Sequence, residues 1–206
     1  MPATPLEEGL GLLALDLPAS AQQQLLDYIA LLEKWNRVYN LTAIRTREQM
    51  IHEHLLDSLA VAPHIPAGSL LDLGSGGGLP GIPLRIARPD LTVTLLEASG
   101  KKCAFLRQAT IELALADVNV VCQRVEAYRP AVGFDSVIAR AFADLATIAR
   151  LGMRLVAPHG RLFAMKGVEP VDELARLGAT ATVQAVIRLD VPGLRAQRHL
   201  VVMTKA

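Results

Sequence analysis

Leu70-Leu71-Asp72-Leu73-Gly74-Ser75-Gly76-Gly77-Gly78-Leu79-Pro80-Gly81 runs from an apolar strand signal into a glycine-dense turn. Glycines let the backbone turn sharply and come within contact distance of a ligand. Pro80 and Pro83 stand where a helix would begin, where a missing N–H costs little. Two registers fit. From Gly76, the stretch Gly76-Gly77-Gly78-Leu79-Pro80-Gly81 matches the G-x-G-x-x-G dinucleotide pattern. From Gly74, Asp72-x-Gly74-x-Gly76-x-Gly78 matches the pattern that cradles S-adenosylmethionine, with its first glycine directly after the strand. An ordinary glycine-rich turn would carry the same letters.

Outward from this turn, short apolar runs at 70–73, 92–96, 118–121, 134–138 and 161–165 read as strands, each but the last followed by room for a crossover helix. A doubly wound parallel sheet is expected. After Lys166 come a short helix near Pro170, a strand at 182–189, a turn at Val191-Pro192-Gly193 and a closing strand at 199–203. The last two runs are joined too tightly for a parallel crossover and predict an antiparallel hairpin. Seven strands with that ending suggest the Rossmann-like α/β sheet of class I methyltransferases more than a dinucleotide dehydrogenase. Upstream, Ser20 with Gln23 reads as a capping box opening a helix whose apolar stripe is Leu25, Leu26, Ile29, Leu32, Trp35 and Val38, ending at Asn40. Thr46 with Gln49 opens a second helix that ends before Pro63. Residues 1–66 are expected to form a helical cap and residues 67–206 the cofactor-binding domain, as one compact unit.

With 21 basic and 20 acidic residues the net charge is +1, so the chain lacks global basicity. Residues 1–33 hold five acids and no Lys or Arg, which leaves +6 for the rest. Lys34, Arg37, Arg45 and Arg47 follow with no intervening acid, and Arg176, Arg188, Arg195, Arg198 and Lys205 face Asp190 alone near the end. These are solvated faces or a local patch for nucleic acid. A 51% hydrophobic, 20% charged chain excludes disorder. No apolar run approaches the roughly 20 residues of a membrane span. Two cysteines make no disulfide framework, and with no leader signal a cytoplasmic location is expected. His52, His64, His159 and His199 show no metal-ligand spacing with carboxylates or cysteines, so no metal is expected.

Glu97 closes the second strand a little over 20 residues after Gly74, where an acid can accept hydrogen bonds from both ribose hydroxyls. Gln123-Arg124-Val125-Glu126 follows the third strand, where adenine would lie. Arg140 stands past the fourth strand, at the carboxyl edge where ligands collect. Each also has a plain reading as a surface residue. His54, one turn before Asp57, is placed to be oriented by that carboxylate. Trp35 and Tyr39 read as core rather than as a base-stacking platform, Cys122 as an inert core thiol, and Cys103 as helix packing. No second domain and no His or Tyr-Lys pair suits hydride chemistry, which favours a methyl donor. An NAD(P)-dependent oxidoreductase and a catalytically silent RNA-binding module remain the alternatives.

Asn40-Leu41-Thr42, His54-Leu55-Leu56-Asp57-Ser58, the 74–83 loop, Lys101-Lys102-x-x-Phe105-Leu106, Arg124-Val125-Glu126, Arg140-Ala141-Phe142 and Arg198-His199-Leu200-Val201-Val202 occur in order. Together they resemble the RsmG, or glucose-inhibited division protein B, family of bacterial rRNA methyltransferases. The resemblance implies a class I fold, S-adenosylmethionine as cofactor, and methylation of guanine 527 at N7 in the 530 loop of 16S rRNA. It places cofactor contacts at Gly74, Leu79, Val125, Glu126 and Arg140, beside Gly76 and Gly78 of the turn, with Glu97 as the ribose acid. It lines the pocket with Asn40, His54, Arg124, Arg140 and Lys166. Ser75-Gly76-Gly77-Gly78 stands where other members often have Thr-Gly-Pro-Gly, and Glu97 where many have Asp. Guanine N7 has an in-plane lone pair and no proton, so in-line attack needs no general base. The absence of an Asn-Pro-Pro-aromatic motif and of a Pro-Cys pair agrees with that. Because N7 must face the methyl group, recognition falls to O6 and the Watson–Crick edge. The expected partner is 16S rRNA or the small ribosomal subunit, with the protein a monomer.

Overall fold

Leu70, Leu71 and Leu73 are fully buried, and apolar side chains on both faces place a strand inside a sheet. A computed structural model describes residues 3–206 and sets this strand, β1 (Gly68–Leu73), third from one edge of a seven-stranded sheet. The others are β2 (Leu91–Glu97), β3 (Val118–Cys122), β4 (Phe134–Arg140), β5 (Val156–Lys166), β6 (Ala181–Leu189) and β7 (Arg198–Lys205). Their order is β3-β2-β1-β4-β5-β7-β6, with β1 to β5 parallel and β7 antiparallel to both neighbours. The expected α/β class, the seven strands and the closing hairpin are all present.

Alternation along the strands sorts side chains to two layers. Leu70, Val93, Leu95 and Ile138 face a core shared with α2 (Ala19–Tyr39), α5 (Gly81–Ala87) and α6 (Gly100–Glu112). Leu71, Leu73, Val137 and Ala139 face α7 (Leu145–Gly152) through Leu145, Ile148 and Ala149. The N-terminal segment adds α1 (Pro5–Leu12) and a second helical run in which α3 (Arg47–Met50) passes through a π-helical turn (Ile51–Leu56) into α4 (Asp57–Leu59). A short α8 (Val171–Ala175) follows β5. Leu25, Ile29, Leu32, Leu55, Leu56 and Leu59 of the cap belong to the same apolar cluster as Phe105 and Leu106 of α6.

Several expectations need correction. Helix α2 begins at Ala19 with Pro18 as its N-cap, so Ser20 lies inside the helix and caps nothing. The side chain of Gln23 instead donates to Asp27 at 2.9 Å. Thr46 does cap α3, accepting from the Gln49 N–H. Helix α1 was not anticipated, although Thr4-Pro5-x-Glu7 forms a reciprocal capping box with proline at the first turn. No crossover helix joins β3 to β4; the eleven intervening residues include Pro130 and Gly133 and make only a short turn. Val38 is 70% exposed and Tyr39 39% exposed, so neither is core. Trp35 is more buried than either, packing edge-on to Phe105 and stacking on Tyr39. Cys122 is exposed and disulfide-bonded to Cys103, not an inert core thiol.

Helix α2 is tied to the glycine turn by a polar contact in an apolar setting. The fully buried Tyr28 hydroxyl of α2 donates to the Gly77 carbonyl at 2.6 Å. Tyr28→Phe keeps the packing and orphans that carbonyl, so it is expected to cost about 1–3 kcal/mol in urea unfolding; an unchanged midpoint would remove Tyr28 as the tie.

Candidate functional site

The end of β1 turns through left-handed backbone at Gly74 (φ +72°), Gly76 (φ +58°) and Gly78 (φ +88°), a conformation that costs glycine little. A Cβ on Gly74 would sit 2.5 Å from the Phe142 ring. One on Gly76 would meet nothing closer than the Gly74 carbonyl oxygen at 3.9 Å, so this part of the turn borders open space. The Gly74 and Ser75 N–H groups donate to the Leu96 carbonyl, locking the turn to β2. The buried Glu97 carboxylate accepts from Gly76 N–H at 2.9 Å and Ser99 N–H at 2.8 Å, one on each oxygen. Each oxygen keeps further acceptor capacity. Beneath the turn, Asp72 accepts from Gly81 N–H at 2.9 Å through Oδ2, while Oδ1 has no partner among the described residues. Burial pushes the Asp72 carboxyl up to about 7, against the lowering effect of the Gly81 hydrogen bond.

Two cavities open along the carboxyl edge of the sheet. The first, about 300 Å³, is lined by Gly74, Glu97, Lys102, Arg124, Val125 and Glu126, among others. The Arg154 guanidinium donates to the Val125 carbonyl and, at 3.0 Å, to that of Tyr128, which braces this helix-free segment. The second, about 340 Å³, is lined by Glu53, Asp57, Arg140, Met165, Lys166 and Arg198 with their neighbours. Ala141, at φ +49°, lines both. A non-glycine residue in left-handed backbone is uncommon and marks a place where surroundings hold the chain.

The second cavity is organised by Asp57, only 4% exposed at its side chain. Its Oδ2 accepts from Arg140 Nη1 at 2.9 Å and its Oδ1 from Arg198 Nε at 2.7 Å. Arg140 Nη1 also donates to the Glu53 carbonyl at 3.1 Å. The Nη2 group of each arginine has no hydrogen-bond partner among the described residues. Lys166 pairs with Glu173 at 2.8 Å and donates to the Ala143 carbonyl at 3.2 Å. The sequence places Arg198 only in a basic stretch and a terminal motif, and does not display the dual role of Asp57. The signal was the His54-x-x-Asp57 spacing, read toward the wrong partner.

His54 sits in the π-helical turn, buried, and lines neither cavity. No hydrogen bond joins it to Asp57. Nδ1 lies 3.0 Å from the Glu53 carbonyl, which makes Nδ1 the donor, and Nε2 lies 2.9 Å from the Thr42 hydroxyl, which then donates to it. Burial, reinforced by the Arg140 charge, depresses the imidazole to about 4. Asn40 is the left-handed C-cap of α2, and its amide oxygen accepts from Arg45 at 3.1 Å, outside both cavities. Gly76, Gly78 and Leu79 shape the turn without lining the first cavity, and Arg140 lies in the second. A larger hollow of about 880 Å³ lies at the opposite edge of the sheet, between the start of α2 and the ends of α5 and α6. Asp16, Asp27 and Glu112 on its wall make it a poor seat for an anionic ligand.

A family model described as rRNA small subunit methyltransferase G, GidB, matches residues 21–201. The chain is 51% identical to the ribosomal RNA small subunit methyltransferase G of Nitrosospira multiformis, over all of this chain and 98% of that protein. It is 54% identical to the protein of the same name from Methylobacillus flagellatus, over 95% of each. Among solved structures it resembles the glycopeptide N-methyltransferase MtfA complexed with S-adenosylhomocysteine, with a TM-score of 0.63 at 14% identity, covering 74% of this chain and 87% of that one.

Two outcomes follow from the geometry. The folded state disfavours protonated His54, so its contribution to stability is complete above the ordinary imidazole value of 6.5. That contribution is lost as pH falls from there through about 4, on the order of 3 kcal/mol. His54→Gln should flatten the thermal-unfolding profile between pH 7 and 4; an unchanged acid slope would contradict the assignment. Asp57→Ala leaves two guanidiniums facing each other and is expected to cost about 3–5 kcal/mol in denaturant unfolding.

Proposed function

Because this chain belongs to the rRNA small subunit methyltransferase G family, we propose that it transfers a methyl group from S-adenosylmethionine to N7 of a guanine in bacterial 16S rRNA. The nucleotide is guanine 527 of the 530 loop, as the sequence resemblance implies. The observation that carries this reading is the pair of cavities meeting at Ala141, one built from the glycine turn and an acid, the other from guanidiniums on a buried carboxylate. The residues fit the cofactor: the turn leaves room at Gly76, and Glu97 has acceptor capacity for ribose hydroxyls. Val125 and Glu126 face the same space, where backbone and carboxylate can read an adenine edge. When bound, S-adenosylmethionine supplies an electrophilic methyl group on a sulfonium.

The chain's own task is placement. Guanine N7 carries no proton, so alignment supplies the rate and no side chain need remove one. His54 suits that scheme: it is held neutral with both ring nitrogens engaged, a positioning residue for the 42–44 segment rather than a base. Arg140, Arg198 and Lys166 present donors for guanine O6. Arg124 sits on the cofactor side. Flipping a base from its stack costs a few kcal/mol. Lys34, Arg45 and Arg47 make no ion pair among the described residues and are suited to offset that cost through phosphate contacts. Residues 1–66 act as a cap on the methyltransferase domain, 67–206, in a cytoplasmic, monomeric enzyme. The antiparallel β7 departs from the 3-2-1-4-5-6 order of dinucleotide-binding folds, which disfavours the oxidoreductase reading.

Incubating the protein with labelled donor and small subunits that lack the modification, then cleaving chemically at 7-methylguanine, should place label in the 530 loop. Label elsewhere defeats the site assignment, and RNA binding without label would instead support a silent module. Arg140→Ala is expected to lower transfer by about a hundredfold or more while the far-ultraviolet circular dichroism stays native.

A further inference from the structure

We infer that Cys103 and Cys122 form a reversible thiol-oxidation site that stiffens the wall of the glycine-turn cavity; its effect on cofactor affinity rests on the function proposed above. They are the chain's two cysteines, bonded to each other with Cα atoms 5.8 Å apart. Their placement links the bond to the cavity at three points. Lys102 and Gln123, the chain neighbours of the two cysteines, both line it. Cys122 is the register partner of Glu97 in the parallel pairing of β2 and β3. Cys103 Sγ lies 3.3 Å from the Glu97 carbonyl oxygen.

The oxidation state is therefore felt by the backbone of the acid that closes the cavity. Reduced, the Cys103 thiol has a hydrogen to donate to the Glu97 carbonyl; in the disulfide that hydrogen is gone, and the sulfur is bound to the end of β3 instead. The tether acts where the fold has least to hold it. β3 is an edge strand, and the chain that follows it along the cavity crosses to β4 without a helix.

Access sets the order of events. Cys103 is fully buried and Cys122 exposed, so a peroxide reaches Cys122 first. The Cys122 sulfur displaces water from hydrogen peroxide, taking one oxygen to become a sulfenic acid. The Cys103 sulfur then attacks Cys122, forming the S–S bond and releasing that oxygen as a second water. In sum, two thiols and one hydrogen peroxide give one disulfide and two waters, and a dithiol such as dithiothreitol returns both thiols by exchange.

The test uses the full chain, reduced with dithiothreitol or treated with stoichiometric hydrogen peroxide, and read by intact mass, amide hydrogen exchange and S-adenosylhomocysteine calorimetry. Peroxide should remove two hydrogens per chain without dimer formation. It should slow exchange at residues 122–126 and tighten S-adenosylhomocysteine binding about threefold to tenfold by pre-organising the wall, with dithiothreitol reversing both. Cys122→Ser, an exposed position, should fold normally and show neither response. Two free thiols after peroxide, disulfide-linked dimers, or an intramolecular disulfide with unchanged exchange at 122–126 would each overturn the inference. If S-adenosylhomocysteine binds neither state, the cofactor assignment fails separately, while mass and exchange still decide the oxidation site.

Discussion

One buried carboxylate receiving two guanidiniums fixes the working edge of this molecule. Asp57 belongs to the cap, Arg140 to the end of β4 and Arg198 to the start of β7, three segments distant in sequence that must arrive together for the charge to be paired. A buried ion is tolerated only when its partners are in place. The requirement therefore sets where the π-helical turn lies against the sheet and which arginine donors remain for a ligand. With Lys166 balanced by Glu173 and Glu53 also on the wall, the cavity is zwitterionic rather than broadly cationic. Such a surface suits the edge of a neutral base better than a phosphate, so a net charge of +1 is compatible with an RNA substrate.

The glycine turn depends on the cap as well. Its carbonyl at Gly77 is satisfied by Tyr28 of α2, and a Cβ at Gly77 would press on Leu32 of the same helix. The cap thus completes the turn's hydrogen bonding and shares its apolar core. Asp72 and Glu97 hold the same turn from β1 and β2, through Gly81 and Gly76 respectively.

Patterns of period and punctuation made the sheet legible: alternating strand runs, the glycine turn, and a hairpin too short for a crossover. Glu97, at the end of β2, and Val125, in the link after β3, were both expected near the cofactor, and the topology brings them to one cavity. Side-chain partnerships were less visible. Asp57 stands one helical turn from His54, yet a π-helical turn intervenes and its carboxylate meets arginines 83 and 141 residues away. The missing helix after β3 and the pairing of Cys103 with Cys122 are likewise products of tertiary geometry, which local spacing does not record. Thr4-Pro5-x-Glu7 carries the capping letters of α1, but the helix behind it is only eight residues long and shows no extended apolar stripe.

Ala141 is a party wall. Its left-handed backbone bounds the glycine-turn cavity on one side and the arginine cavity on the other, and its neighbour Phe142 leans on Gly74. Neither chamber can be widened, narrowed or tilted at that point without reshaping its twin. Variation that retunes one occupant must therefore enter from the outer walls, the 123–126 segment for one and the 166–167 and 198 positions for the other. One small side chain is thus common to both walls.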